Sequence, residues 1–451
     1  MASLHTTPTE ILHLIFASLS PGDLAAICLT HRDLRYPVEP FLYAHIQWIW
    51  SDSQIPPVAQ FLRSIIHRPE LARYVYDVIL DGDCFDGSLY DPRNESPKIP
   101  ISNVVLDELV ECIKRTNVPY VGEWIQELRA GSMDAFTTRL ISHLLNLKRL
   151  FLDKNFNRES RLRGMMLRSP PCEETTASNL SSFTYLEDVT AKSPCLPYDI
   201  HQKSDSRNTK DVLPLFYLPS VKRIRTLIDN PATFTLTGKN LPNPSRLTSL
   251  DLTILRERHL SKDWYYRPDL RDHSFTAIID LDQIAKGLSY VQETLTDLTI
   301  TAGSQGYKAD LEDPEIQFSG SFKVFGGLHT LKCLKVPIPF LLGFSPSMSN
   351  ANSLAVALPK RLKWLTLTDC LCTQEQWEWQ WKTDYLLEAI RSWLQNWERY
   401  TPHLRGFCLS GSMMKAQDWE PDMIHGLRDL GAQSGIEIQI TDTEPKWSGR
   451  M

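Results

Sequence analysis

A chain of 451 residues exceeds what one ordinary compact core serves, so two or more domains or an elongated repeat array are expected. Hydrophobic residues make up 42% and charged residues 23%, which excludes the disordered and collagen-like classes. A formal net charge of -6 gives no overall basic character to attract nucleic acid or an anionic membrane, leaving protein as the expected partner.

Thr6, Pro8 and Glu10 interrupt the first apolar stretch, so no secretory signal is expected, and no apolar run reaches the length of a membrane span. The nine cysteines are scattered singly; only Cys370 and Cys372 are close, and no CxxC pair offers zinc or redox chemistry. Reduced thiols in the cytoplasm or nucleus are the expectation, which makes the sequons at Asn94 and Asn179 chance matches.

In chain order, Thr7-Pro8-Thr9-Glu10 reads as a capping box that opens a helix ending near Ser20. Ile11, Ile15 and Leu19 recur every four residues, with Leu12 and Phe16 beside them, giving a broad apolar face. Ser20-Pro21-Gly22-Asp23 repeats the start signal and opens a second helix through Leu24, Ile27 and Cys28. Thr30 is expected to cap a third segment, carrying Leu34, Leu42, Tyr43 and Ile46, that Pro37 and Pro40 break into short pieces. Three short helices in about forty residues bury little on their own, so the module needs a partner surface.

The ungapped spacing of Pro8, Glu10, Ile11, Leu12, Ile15, Phe16, Leu19, Asp23, Leu24, Arg32, Leu34 and Arg35 resembles the F-box. Thr7, Thr30, His31 and Tyr43 depart from the residues usual at those places in the family. The resemblance implies a docking module, Leu4 to Ile46, that binds the small Skp-family adaptor of SCF-type ubiquitin ligases. It places Pro8, Ile11, Leu12, Ile15, Phe16, Leu19, Leu24, Leu29 and Leu34 in that contact, and brings a cullin and a RING subunit through the adaptor.

Residues 51–130 combine a helical stretch, Val58 to Ile66, with an acidic turn and a proline-rich patch, and read as a connector. Asp81, Asp83 and Asp86 are expected to be solvated, since no matching ligand set follows for a metal.

From 131 to 445 an LxxLxL pattern recurs, at Leu147-Leu150-Leu152, Leu247-Leu250-Leu252, Leu295-Leu298-Ile300, Leu331-Leu334-Val336, Leu362-Leu365-Leu367 and, more loosely, Leu404-Phe407-Leu409. Echoes lie at Leu186 and Ile224. The separations are irregular and generally exceed the leucine-rich-repeat unit of roughly 20 to 29 residues, and the customary Asn or Cys follows only as Asn155 and Cys370. Amphipathic stretches at Phe136 to Leu145, Ile278 to Val291 and Leu386 to Trp397 alternate with these strands. The expected fold class is therefore α/β: a small all-α module over 1–50, then an irregular leucine-rich-repeat-like solenoid with a parallel sheet. Leu430 to Ile436, with Ile438 and Ile440, supplies the expected last strand. The segment Leu328 to Phe344, with Leu358-Pro359-Lys360-Arg361-Leu362, resembles C-terminal regions of F-box proteins from filamentous fungi, which fits the same reading and carries no site with it.

Side chains between the strand leucines are expected to point outward, making Arg149, Phe151, Asp153, Asp251, Asp297, Lys335 and Trp364 candidates for client contact. Trp377, Trp379 and Trp381 join them on aromatic density, whereas Leu386, Ile390, Trp393 and Trp397 form a core-like helical stripe. His201 to Lys210 reads as a flexible loop, and Lys222, Arg223 and Arg225 alone do not make a phosphate pocket.

Motifs for chemistry are missing from the sequence. Asp153-Lys-Asn155-Phe-Asn157 begins like a calcium loop, but Arg158 and Gly164 occupy the positions that need Gly and Glu. There is no GxSxG, no GK[ST] phosphate loop, no HExxH and no dinucleotide fingerprint, and the twelve histidines, His143 and His329 among them, stand singly. The expectation is a non-catalytic receptor subunit without metal or cofactor that holds a protein client for ubiquitin transfer. The alternatives are a Skp-bound structural or regulatory protein outside any ligase, and an enzyme with an unfamiliar site.

Overall fold

The computed structural model describes residues 7–51, 53–82, 98–100, 102–157, 160–168, 180–192, 212–228, 242, 244–258, 278–306, 316–321, 323, 325–345, 353–372, 383–410 and 420–441. The fold is mixed α/β, with parallel strands and helices on the return connections. It divides into two compact units: Met1–Pro194 with Lys210–Val221, and Cys195–Thr209 with Lys222–Met451.

The first unit opens with three helices, α1 (Thr9–Ala17), α2 (Pro21–Thr30) and α3 (Arg32–Leu42). The N-cap of α1 is Pro8, whose carbonyl accepts from Leu12 N–H at 3.1 Å, so the helix begins one residue beyond the expected Thr7 cap and stops short of Ser20, at Ala17. At α2 the capping box forms as expected: Ser20 Oγ accepts from Asp23 N–H at 3.2 Å and donates to the Asp23 carboxylate at 2.6 Å. Thr30 does not cap α3. Its hydroxyl donates back to the Ile27 carbonyl at 2.8 Å, and His31 caps instead, its Nδ1 accepting from Asp33 N–H at 3.2 Å.

Pro37 and Pro40 do not break α3, contrary to their ordinary effect. Each withdraws an N–H from the helix ladder. Burial of Leu34 and Val38, packing of Phe41 and Leu42 on the module's core, and a salt-bridge clamp on Glu39 hold the segment helical against that loss.

The parallel ladder starts earlier than the leucine count implies. β1 (His45–Ile49) and β2 (Asp77–Asp81) precede β3 (Arg149–Leu152) and β4 (Asp188–Ala191), each pairing with its neighbours in chain order. The expected 1–50 module therefore ends in a sheet strand, and the expected 51–130 connector contributes β2 together with α4 (Val58–His67), α5 (Asn103–Lys114) and α6 (Val121–Arg129). The register aligns Ile46, Val78, Leu150 and Val189, all buried, and then Trp48, Leu80, Leu152 and Ala191. Val75, Val78 and Leu80 thus take, around β2, the buried places that leucines take around the later strands.

Close approach fixes particular residues on this ladder. Asn155 Nδ2 donates to the Trp50 carbonyl at 2.7 Å, and a Cβ added at Gly82 would stand 2.5 Å from that same oxygen. A side chain at Gly82 would push the two segments apart.

Helix α7 (Met133–His143) is buried from Met133 through Ser142, polar residues included. Trp124 of α6 donates its indole N–H to the Ala135 carbonyl at 3.0 Å. Asp134, wholly buried, accepts from the backbone N–H of Leu162 at 2.6 Å and so anchors the start of helix Arg161–Arg168. Arg163, also buried, donates to the Phe156 carbonyl at 3.1 Å and to the Asn157 side chain. The candidate calcium loop is instead a helical turn, Lys154–Asn157, with Asn155, Phe156 and Asn157 buried.

The second unit continues the design with β5 (Arg223–Ile228), β6 (Ser249–Arg258), β7 (Ile278–Asp280), β8 (Asp297–Gly306), β9 (Gln317–Ser319), β10 (Cys333–Pro337), β11 (Trp364–Thr368), β12 (Gly406–Ser410) and β13 (Glu437–Thr441). All but β7 and β9, which pair with each other, follow chain order in one parallel ladder. Ile224, Leu250, Leu298, Leu334, Leu365, Phe407 and Ile438 share one register position.

Ile278 to Asp280 is strand rather than the start of a helix, which runs Leu281–Ser289 behind an Asp280 cap. Leu430 to Ser434 likewise close a helix, Pro421–Ser434, that Gly435 ends at φ 68°, so the last strand starts at Glu437. The expected core stripe is present at Leu386, Ile390 and Trp393, all buried; Trp397 is half-buried on a separate turn, Trp397–Tyr400. Among the described residues no helix is long and apolar enough to cross a membrane.

Candidate functional site

Helix α1 is apolar on two sides, and the structure divides its side chains between them. Leu12 and Phe16, one turn apart, enter a core with Leu24 and Val38 on which Leu19, Ile27, Cys28, Phe41 and Leu42 also pack. The Phe16 and Phe41 rings meet edge to face, 5.9 Å between centroids. Ile11, Leu14 and Ile15 lie outside this core at 47%, 70% and 38% exposure, and Pro8 is exposed as well. Their i, i+3, i+4 spacing makes one helical stripe. Leu29 on α2 is 88% exposed and Tyr36 on α3 is 69% exposed.

The sequence-derived docking residues therefore fall into two groups. Pro8, Ile11, Ile15 and Leu29 are outward, while Leu12, Phe16, Leu24 and Leu34 are buried and Leu19 is half-buried. Leu14, absent from the sequence-derived set, is the most exposed apolar residue of α1. Its position one turn beyond Ile11 is the signal that would have found it.

Glu39 on α3, almost fully buried, holds the module to the segment after α4. It accepts from Arg68 Nη1 and Nη2, both at 2.7 Å, and from Arg35 Nε at 2.7 Å. The Arg68 hydrogen bonds keep its carboxyl below the ordinary glutamate range, outweighing burial, with Arg35 assisting. A carboxyl depressed in the folded state adds stability above its unfolded pKa, and that stability is lost as pH falls through the folded value. The gap in urea midpoint between wild type and Glu39→Gln should therefore be widest near neutrality and narrow on acidification below about pH 4. A gap independent of pH would mean that the carboxylate charge does not hold the joint.

The expected client row is more engaged than solvated. Burial alone would raise the pKa of Asp77, but Arg149 and His45 on the flanking strands outweigh it and hold the carboxyl low; His45 Nδ1 is 2.6 Å from Asp77 and Arg149 Nε donates at 2.5 Å. Arg149 is thus a cross-strand ion-pair partner. Phe151 is half-buried with the Lys192 ammonium 5.0 Å from its ring centroid. Asp153, expected to face outward, is buried just past β3 and accepts from Lys154 N–H at 2.9 Å; burial and the neighbouring Asp81 raise its pKa.

In the second unit, burial raises the pKa of Asp251 against the pull of Arg225 and Lys335. Asp297 is exposed and accepts from the Thr296 hydroxyl at 2.6 Å, and burial together with Asp297 pushes the Cys333 thiol up to about 11. Trp364 is half-buried, its ring so close over Gly406 that an added Cβ would meet it at 1.9 Å. Trp377, Trp379 and Trp381 lie outside the described residues, as do Asp83, Asp86 and the segment 201–210.

His143 is neutral at physiological pH, since burial and the charge of Arg139 lower its pKa to about 3. Among the described residues no three His, Cys, Asp or Glu side chains gather as a metal site, and six cysteines are free thiols. No protein-family model matches this chain, and no curated protein matches it at a significant level.

Proposed function

We propose that the chain is the substrate receptor of an SCF-type ubiquitin ligase. In this reading the N-terminal helices form an F-box that docks a Skp-family adaptor, and through it a cullin and a RING subunit. The strands and helices that follow form a leucine-rich-repeat-like solenoid that holds a protein client. The protein performs no chemistry itself: its contribution is proximity, raising the effective concentration of client lysines near the charged ubiquitin-conjugating enzyme. Such a complex would work in the cytoplasm or nucleus.

The observation that carries this reading is the outward stripe Ile11, Leu14 and Ile15 on a helix whose opposite side is already committed to the module's own core. A stripe of that kind suits helix-on-helix docking, where a few buried apolar anchors supply most of the binding energy.

Co-expression with a Skp-family adaptor tests it. Wild type should capture the adaptor, and Leu14→Asp with Leu29→Asp should abolish capture, because a carboxylate buried at either anchor costs several kcal/mol. Both positions are exposed in the free chain, so the variant should keep its circular dichroism spectrum. Folded wild type that captures no adaptor would defeat the proposal; capture of adaptor without cullin would favour a role outside the ligase.

A further inference from the structure

The residues just before the strands of the second unit are joined rung to rung by backbone hydrogen bonds. Thr248 N–H donates to the Lys222 carbonyl at 2.9 Å, Thr296 to Thr248 at 2.9 Å, Lys332 to Thr296 at 2.8 Å, Lys363 to Lys332 at 2.7 Å and Arg405 to Lys363 at 2.8 Å. Lys332, Lys363 and Arg405 thus stand on three successive rungs, and the ladder goes on to β13, where Glu437 N–H donates to the Arg405 carbonyl at 2.9 Å. Parallel strands lie about 4.8 Å apart, so three positive charges emerge from about 10 Å of sheet.

All three side chains are exposed, and among the described residues none has a carboxylate partner. Carboxylates flank them: Asp297, on the rung before Lys332, accepts from the Thr296 hydroxyl at 2.6 Å, and Glu437, on the rung after Arg405, accepts from Gln439 Nε2 at 2.6 Å. Exposed Lys360 and Arg361, in the turn leading to β11, add to the same field. Like charges on adjacent strands repel, and the described carboxylates, Asp297 and Glu437, stand on the rungs to either side of the three cations rather than between them. Beside them Trp364, flat over Gly406, presents an aromatic surface.

We propose that the rim of Lys332, Lys363 and Arg405 binds an acidic peptide segment, with Asp or Glu carboxylates paired to the cations and an apolar residue resting on Trp364. Carboxylates at alternate positions of an extended peptide recur about 6.6 Å apart, within the reach of long cationic side chains on neighbouring rungs. A peptide fits better than nucleic acid, because a net charge of -6 repels a long polyanion and three cations match only a short acidic stretch. This deepens the receptor reading, on which it rests, by naming the client's chemistry.

The test uses the full chain, purified after co-expression with the adaptor whether or not the adaptor is retained, and a short fluorescein-labelled peptide of alternating Glu and Ser with one Leu, followed by anisotropy. Wild type should bind saturably, and more weakly in about 0.5 M salt. The triple variant Lys332→Gln, Lys363→Gln, Arg405→Gln should lose about tenfold or more in affinity. A control with the same charge change at exposed Arg73, Arg115 and Arg129 of the first unit should bind as wild type does. No saturable binding, equal loss in both triple variants, or tighter binding of a single-stranded oligonucleotide than of the peptide would overturn the proposal. If the peptide fails while the adaptor is still captured, the rim alone is refuted. If the peptide binds to a chain that captures no adaptor, the rim stands and the ligase reading falls.

Discussion

Replacing Arg163 with methionine should lower the unfolding temperature of the first unit by about 10 °C. Arg163 is buried and its guanidinium donates to the Phe156 carbonyl and to Asn157, while its charge is the largest influence opposing the burial that drives Asp134 up to about 6. Methionine fills much of the volume but leaves the Phe156 carbonyl and Asn157 without their donor, and leaves Asp134 with its backbone hydrogen bond but without the opposing charge. Losing two buried hydrogen bonds and the charge that opposes the burial of Asp134 costs roughly 3–5 kcal/mol together, and at about 2–4 °C per kcal/mol for a unit of this size the expected shift follows. The pH dependence has a definite sign. A carboxyl raised in the folded state penalises folding above its unfolded pKa, and the penalty reaches its full size once pH exceeds the folded pKa. Without Arg163 the folded pKa of Asp134 rises further, so the variant should fall further below wild type at pH 7 than at pH 5. Calorimetric scans at the two values check both statements; a shift of only a degree or two would mean that the buried guanidinium is incidental.

Phe16→Ala should unfold the three-helix module while leaving the sheet intact. Phe16 is among the largest fully buried side chains and its ring contacts Phe41. Truncating a buried phenylalanine costs roughly 3–5 kcal/mol, more than a core of four buried residues can spare. Amide hydrogen exchange should show α1, α2 and α3 losing protection while β2 and β3 keep theirs. If α1 to α3 remained protected, the module would have to be held by an adhesion other than its own core. The result also decides how binding experiments are read: a defect in Phe16→Ala reports folding, whereas one in Leu14→Asp reports the surface.

Much of this architecture was legible from residue spacing. In every LxxLxL copy from Leu147 to Leu409 the last two apolar residues became inward strand positions and the first a buried residue of the turn before the strand, because the pleat sends alternate side chains to one face. Val75-Val78-Leu80 was missed because the same period is written in β-branched residues, and Ile46 because it sits among helix signals. Pro37 and Pro40 misled for a different reason: local propensity is worth a few kcal/mol, and tertiary burial of Leu34 and Val38 with the clamp on Glu39 exceeds it.

The candidate site was half legible. Periodicity marked α1 as apolar, yet a helix with hydrophobic residues on two sides does not announce which side faces inward; Leu12 and Phe16 went in, and Leu14 stayed out. Buried polar groups such as Asp134 and Arg163 carry no signal in composition, since their partners are a helix start and a carbonyl distant in sequence. The rim cations escaped notice for the same reason. Lys332, Lys363 and Arg405 are far apart along the chain and become neighbours only through strand register.

The chain-ordered ladder bears on how the protein is made. Within each unit almost every strand finds its partner in the strand just before or just after it, so closing each contact requires one intervening loop and no search among distant segments. A polypeptide emerging from the ribosome can therefore lay down β1, β2, β3 and β4 as they appear, each new strand covering the open edge of the last. Synthesis and assembly would proceed in the same direction, and the amino-terminal helices would be available to a partner while the second unit was still being translated.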